Sequence, residues 1–226
     1  MCGRYSLTKE SAKIQNLFGL DHVAHIALRY NIAPMQPVGA ITENRDTGRR
    51  QWRHLQWGLI PGWTKDPKAG HRMINARCET VTQKPAYQAA IRYRRCLIPA
   101  DGFYEWQKNE RPKQPYYITL ADEGLFAFAG LWEHWESEHG DELASCAILT
   151  TEANEVIRPI HDRMPVIIEP DAYASWLDTK VQDPDRVTPL LRPLPAELML
   201  TRPVSTYVNN VQHDGPQCLA AASMLF

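Results

Sequence analysis

At 226 residues the chain suits one large domain or two small ones, and it can bury a substantial core. Composition is ordinary for a globular protein at 44% hydrophobic and 23% charged, and 17 prolines favour loops and short elements over long helices. No apolar run reaches the roughly 18 residues of a membrane helix, and the first residues lack the apolar h-region of a signal peptide. In chain order, Thr8 is placed to cap a short helix whose face carries Ile14, Leu17 and Phe18, with Gly19 as its stop. Strand-like runs follow: PVGAIT (37–42), RQWRHLQWGLI (50–60), QPYYITLA (114–121), GLFAFAGLW (124–132) and ASCAILTT (144–151). Each is rich in β-branched or aromatic residues and is bounded by polar, Gly or Pro turns. SEHGDE (137–142) reads as a hairpin tip, a second helix begins near Pro170 with Tyr173, Trp176 and Leu177, and PVIIE and ELMLTRPVS add strands. Strands and helices do not alternate, so a doubly wound parallel sheet is not expected. The expectation is an α+β fold in one domain over 1–226, with a mainly antiparallel or barrel-like β core and peripheral helices.

The five cysteines, at 2, 78, 96, 146 and 218, form no CxxC and no tight pair. They read as free thiols in a reducing cytoplasm, not as a disulfide framework or a zinc ribbon. The net charge of −1 conceals an asymmetry: residues 1–119 carry +10 and residues 120–226 carry −11. Such segregation builds a local basic groove on a neutral protein, or the halves neutralise one another within one domain.

Four polar clusters stand in apolar or glycine-rich surroundings: MCGR (1–4), MINARCET (73–80), IPADGFYEW (98–106) and IRPIHDRMP (157–165). The small side chain of Cys2 permits removal of Met1, which leaves an α-amine and a thiol on one residue. Their ordinary pKa values, about 7.7–8.0 and about 8.5, leave both partly deprotonated near neutrality. Glu105, between Tyr104 and Trp106, either faces water or faces a pocket, where desolvation would fit it for proton transfer. His161 is either a structural histidine or an acid–base group. Asn75 caps a turn or orients a ligand. Arg4 and Arg77 bind phosphate or make ordinary ion pairs.

Taken together, MCGRY at the N-terminus, RYNIAP (29–34), WGLIPGW (57–63), MINARCET, RRCLIPADGFYEW (94–106), FAFAGLWE (126–133), IHDRMPVII (160–168) and VSTYVNN (204–210) resemble one family, the SOS response-associated peptidases, SRAP. The resemblance runs over about residues 2–215. It implies covalent capture of abasic sites in single-stranded DNA, with no cofactor, no metal and no membrane, by a monomer that works in the cytoplasm at the nucleoid. The ring-opened sugar is an aldehyde. The amine of an N-terminal Cys2 condenses with it to an imine, and the adjacent thiol closes a thiazolidine, so Cys2 must be the first residue of the mature protein. Glu105 then manages protons at the amine, His161 assists ring opening and reversal, and Asn75 holds the N-terminal residue or the sugar. Arg4, Arg77, Lys84 and Arg163 match positions that face the DNA backbone, and Trp63 matches an aromatic beside the groove. Some relatives carry a second aromatic after PGW; here Thr64 stands there, and Lys65, Lys68 and Arg72 are expected to offer phosphate contacts instead. A rival expectation is an N-terminal-nucleophile amidohydrolase or peptidase working through Cys2.

Overall fold

The computed structural model describes residues 2–23, 25–107 and 113–222. In chain order its strands are β1 (Arg4–Leu7), β2 (Arg29–Ile32), β3 (Pro37–Glu43), β4 (Arg50–Trp57), β5 (Asn75–Arg77), β6 (Arg95–Ala100), β7 (Gly102–Trp106), β8 (Pro115–Leu120), β9 (Phe126–Glu136), β10 (Glu142–Glu152), β11 (Arg163–Pro165), β12 (Ile167–Ile168) and β13 (Met199–Pro203). The α-helices are α1 (Ser11–Phe18), α2 (Pro85–Tyr93) and α3 (Tyr173–Leu177). Strands β10, β4, β3, β6 and β9 pair in that order, and β9 pairs back onto β10, closing a five-stranded barrel. Only the β4–β10 contact in this ring is parallel. A second, antiparallel sheet runs β13-β8-β7-β1-β2.

The two sheets meet where the chain steps from β6 to β7 through Asp101 alone. That carboxylate is buried and accepts from Ser6 Oγ at 2.6 Å, from the Thr8 amide at 2.6 Å and from the Thr8 hydroxyl. The next residue must be glycine, because a Cβ at Gly102 would lie 2.2 Å from the Tyr117 ring. The ADG segment is therefore a corner that anchors the end of β1. Tyr5, Trp57, Phe103, Phe126 and Phe128 pack edge to face across the junction, with ring centroids 5.3–5.9 Å apart. Burying each such ring contributes roughly 1.5–3 kcal/mol, so these residues hold the two sheets in fixed relation.

The expected strands and the 137–141 turn are present. Thr8 does not cap the first helix: α1 begins at Ser11 after Glu10, which makes no side-chain cap bond, because Thr8 is held by Asp101. Gly19 does end it, at φ +61°, with its N–H and that of Leu20 closing on Asn16 and Gln15 carbonyls. Helix α2, with Pro85 opening its first turn, was not foreseen.

The 11-residue β10 outlasts its barrel partners, and this positions the site. Its first half pairs with β9 and β4; beyond Cys146 one side is taken by parallel β5, and from Thr150 onward antiparallel β11 pairs with it. The MINARCET and IHDRMP segments are thus brought together by one strand.

Candidate active site

Cys2 lies one residue ahead of Gly3, which leads into β1, and is fully buried. Antiparallel pairing sets Arg4 opposite Tyr104, so one further step along the register brings Gly3 opposite Glu105. Glu105 is itself only 3% exposed, so this carboxylate does not face water. Burial pushes the Cys2 thiol far above its ordinary pKa, and the nearby Glu105 charge pushes it further. From the other side, Asn75 at the start of β5 donates its amide to the Cys2 carbonyl at 2.8 Å. The Asn75 Oδ1 is buried and has no hydrogen-bond partner among the described residues. Tyr87 of α2 supports this strand by donating its hydroxyl to the Asn75 carbonyl at 3.3 Å.

His161 follows a turn and leads into β11, with its side chain 15% exposed. Its Nδ1 lies 3.0 Å from the Arg163 amide, which donates to it, and 3.0 Å from Asp162 Oδ1. The placement is semi-buried beyond the end of β10, where Ala153 donates its amide to the Asp162 carbonyl.

The basic residues divide. Arg163 is only 16% exposed and makes a bidentate pair with Glu79, at 2.6 and 2.9 Å, while donating to the Thr150 carbonyl at 2.7 Å. Arg4 donates to Asn31 Oδ1 and to the Val208 carbonyl, both at 2.9 Å, and lies over the Trp106 ring. The resemblance sets both at the DNA backbone, with an ordinary ion pair as the alternative for Arg4; in the structure both guanidinium groups have intramolecular partners. Arg77 and Lys84 are exposed, and their side chains make no hydrogen bond or ion pair among the described residues. Met1 lies outside the described residues.

Asn31 explains why RYNIAP and VSTYVNN occur together. Its buried amide donates to the Val208, Asn210 and His213 carbonyls, tying the late segment against β2. Between them, Gly3, Arg4, Pro34, Trp106 and Asn209 line a cavity of about 440 Å³ next to Cys2. Asn31, Glu79, Asp101 and Trp106 were not singled out from sequence, although each lies inside a quoted motif.

Trp63 is 71% exposed on the loop after β4. Gly58, at φ +139°, opens that loop; a Cβ there would meet the Gly70 carbonyl oxygen at 2.7 Å, so the 58–72 stretch closes tightly on itself. In place of a second aromatic after Trp63, Trp135 of β9 donates its indole N–H to the Thr64 carbonyl at 2.7 Å and shares a cavity of about 480 Å³ with Trp63. Lys65 pairs with Glu138 at 3.0 Å, whereas Lys68 and Arg72 are exposed. No group of three metal-ligating side chains occurs among the described residues, and no helix there is long and apolar enough to cross a membrane.

The family model described as SOS response associated peptidase (SRAP) matches residues 1–211. The Bacillus subtilis abasic site processing protein YoqW is 41% identical over 223 residues, spanning 97% of this chain and 99% of its own. YoaM of the same organism, also named an abasic site processing protein, is 42% identical over 225 residues, spanning 98% of each. Abasic site processing protein HMCES of Xenopus tropicalis is 35% identical over 202 residues, spanning 79% of this chain and 60% of its own. A crystal structure of a Bordetella bronchiseptica protein superposes with a TM-score of 0.78 at 26% identity, covering 90% of this chain and 100% of that one. A Bacteroides thetaiotaomicron structure shares the fold, with a TM-score of 0.86 at 24% identity and coverage of 98% and 100%. The chain belongs to the SRAP family.

Proposed function

We propose that this protein, taken as one domain over 1–226, captures abasic sites in single-stranded DNA by a reversible covalent bond to Cys2. Relatives covering nearly the whole chain are named abasic site processing proteins, which supports an abasic-site role. The observation that carries the finer reading is the seat of Cys2: a buried residue whose carbonyl is held by Asn75 and whose thiol lies in the field of Glu105.

The chemistry requires Met1 to be removed. The freed amine adds to the aldehyde carbon of the ring-opened sugar, and the carbinolamine loses water to give an imine. The thiol then adds across the C=N bond: sulfur bonds to carbon, the S–H proton leaves, and nitrogen gains one. The net result is a five-membered ring and one water. A thiol held neutral by burial needs a base as it attacks, and Glu105 is the carboxylate at hand. Asn75 fixes the Cys2 carbonyl, so that amine and thiol meet the same carbon. His161 supplies and takes protons at the sugar during opening and reversal. Trp63 offers a stacking face, and Arg77, Lys84, Lys68 and Arg72 offer phosphate contacts, while Arg4 and Arg163 shape the walls of the groove.

The test is incubation of the purified protein with a single-stranded oligonucleotide bearing one abasic site, followed by denaturing electrophoresis and intact-protein mass. A shifted band is expected, with Met1 absent from the mass. Cys2→Ala should remove the band while noncovalent binding persists. A Cys2→Ala adduct that forms as readily as wild type and survives denaturation without reductant sinks the thiazolidine.

A further inference from the structure

Two of the neighbours of the His161 imidazole want opposite things from one nitrogen. The Arg163 amide donates to Nδ1 at 3.0 Å, which requires a bare lone pair there. The Asp162 carboxylate lies 3.0 Å from the same atom, which is favourable only when Nδ1 carries a proton. In the neutral ring the first contact fixes the tautomer, leaving the proton on Nε2. Whichever element holds the Arg163 amide in place therefore decides which ring nitrogen can give a proton.

Arg163 is held from its far end. Its guanidinium meets both Glu79 oxygens at 2.6 and 2.9 Å and the Thr150 carbonyl at 2.7 Å. The clamp joins the turn after β5 to β10 and pins the first residue of β11, a strand of three residues that ends in proline. So short a strand has little ladder of its own to fix where the Arg163 amide sits.

We infer that Glu79 is a positioning residue: by clamping Arg163 across β10 it holds the Arg163 amide on His161 Nδ1, and so keeps the neutral His161 as its Nε2–H tautomer. The inference rests on the reading of His161 as the proton-transfer group only for its kinetic consequence. The tautomer itself is a property of the free protein.

Full loss of general acid–base catalysis costs about 10²–10⁴-fold. A ring with its proton divided between two nitrogens keeps part of that, so Glu79→Gln is expected to slow release of DNA from a preformed cross-link by about tenfold. The direct readout is long-range ¹H–¹⁵N correlation of ¹⁵N-histidine-labelled protein above the titration range of the ring. The protein has eight histidines, and His161 is assigned by the signals missing from His161→Gln. Wild type should show a bare Nδ1 and a protonated Nε2. Glu79→Gln, and independently Arg163→Lys, which keeps the charge but loses the fork, should move both shifts toward the mean of the two tautomers; Glu79→Asp should restore most of the wild-type pattern. Wild-type ¹⁵N shifts in both folded variants overturn the inference. Moved shifts with unchanged release support the clamp and count instead against His161 as the proton-transfer group.

Discussion

Arg77 and Arg163 lie on the two strands that flank one stretch of β10, opposite Thr150 and Glu152, yet their surroundings differ completely. Arg163 is nearly buried and carries three strong hydrogen bonds to Glu79 and Thr150; Arg77 is exposed and its side chain has no partner among the described residues. Residue type is the same. What separates them is an acidic residue two positions beyond Arg77 that pairs with the other arginine. Identical charges thus meet different surroundings: one is tied into the fold, the other is presented to solvent. The same division runs through the whole site. Cys2, Asn75, Glu105 and Arg4 form an inner, bonded group, while Trp63, Lys68, Arg72, Arg77 and Lys84 form an outer, exposed one.

If the division is right, inner substitutions change rate at saturating DNA and outer ones change affinity. The largest effect is expected at Asn75. Asn75→Ala frees the Cys2 carbonyl, and misplacement of a reacting group by about 1 Å can cost 10²-fold. Single-turnover cross-linking at saturating abasic DNA should therefore slow by about that factor, with the noncovalent dissociation constant unchanged. A loss that saturating DNA restores would move Asn75 into the outer group.

A smaller effect is expected at the exposed residues. Base stacking on an aromatic contributes about 1–3 kcal/mol, so Trp63→Ala should weaken noncovalent binding by about tenfold and leave the saturated rate intact. Four phosphate contacts from Lys68, Arg72, Arg77 and Lys84 give a log–log salt slope of roughly −3 for single-stranded DNA, and Arg77→Gln or Lys84→Gln should each reduce its magnitude by about 0.7. Arg163→Gln should leave the slope alone. A slope that drops equally for Arg77→Gln and Arg163→Gln would erase the distinction between them.

The β core was legible because its strands carry local signals: the apolar runs of β9 and β10 and the polar tip between them suffice to place that hairpin. A barrel-like core was expected, but the contact that closes it was not legible, since β4–β10 joins Gln56 and Trp57 to Ser145 and Cys146 in parallel, and nothing local encodes so distant a pairing. Thr8 illustrates a different loss. A threonine before a helical pattern satisfies the rule for a cap, but the Asp101 carboxylate, far along the chain, binds it more strongly. In the site, Cys2, Asn75, Glu105 and His161 were singled out because their residue types and the shared motifs imply chemistry, and the fold sets both Asn75 and Glu105 about Cys2. The arginines were harder, because an arginine's function depends on whether a carboxylate reaches it first.

The smallest expected effect tests that last point directly. Hydrogen bonds from Arg163 hold the Glu79 carboxyl below its ordinary value, against a smaller opposing effect of burial. A depressed carboxylate stabilises the fold above its unfolded pKa, about 4.3, and loses that contribution as pH falls through the lower folded value. Glu79 is half exposed, at 49%, so solvent screening keeps the pair's contribution below about 1 kcal/mol. The difference in urea stability between wild type and Glu79→Gln should accordingly be small and constant from neutral pH to about 5, and should close in stronger acid. A gap that stays open at about pH 3 would mean that glutamine disturbs packing and that the ion pair is incidental. A gap that closes shows that the Glu79–Arg163 pair itself is what the substitution removes, so that slower release by the same variant at neutral pH reports the clamp and not a damaged fold.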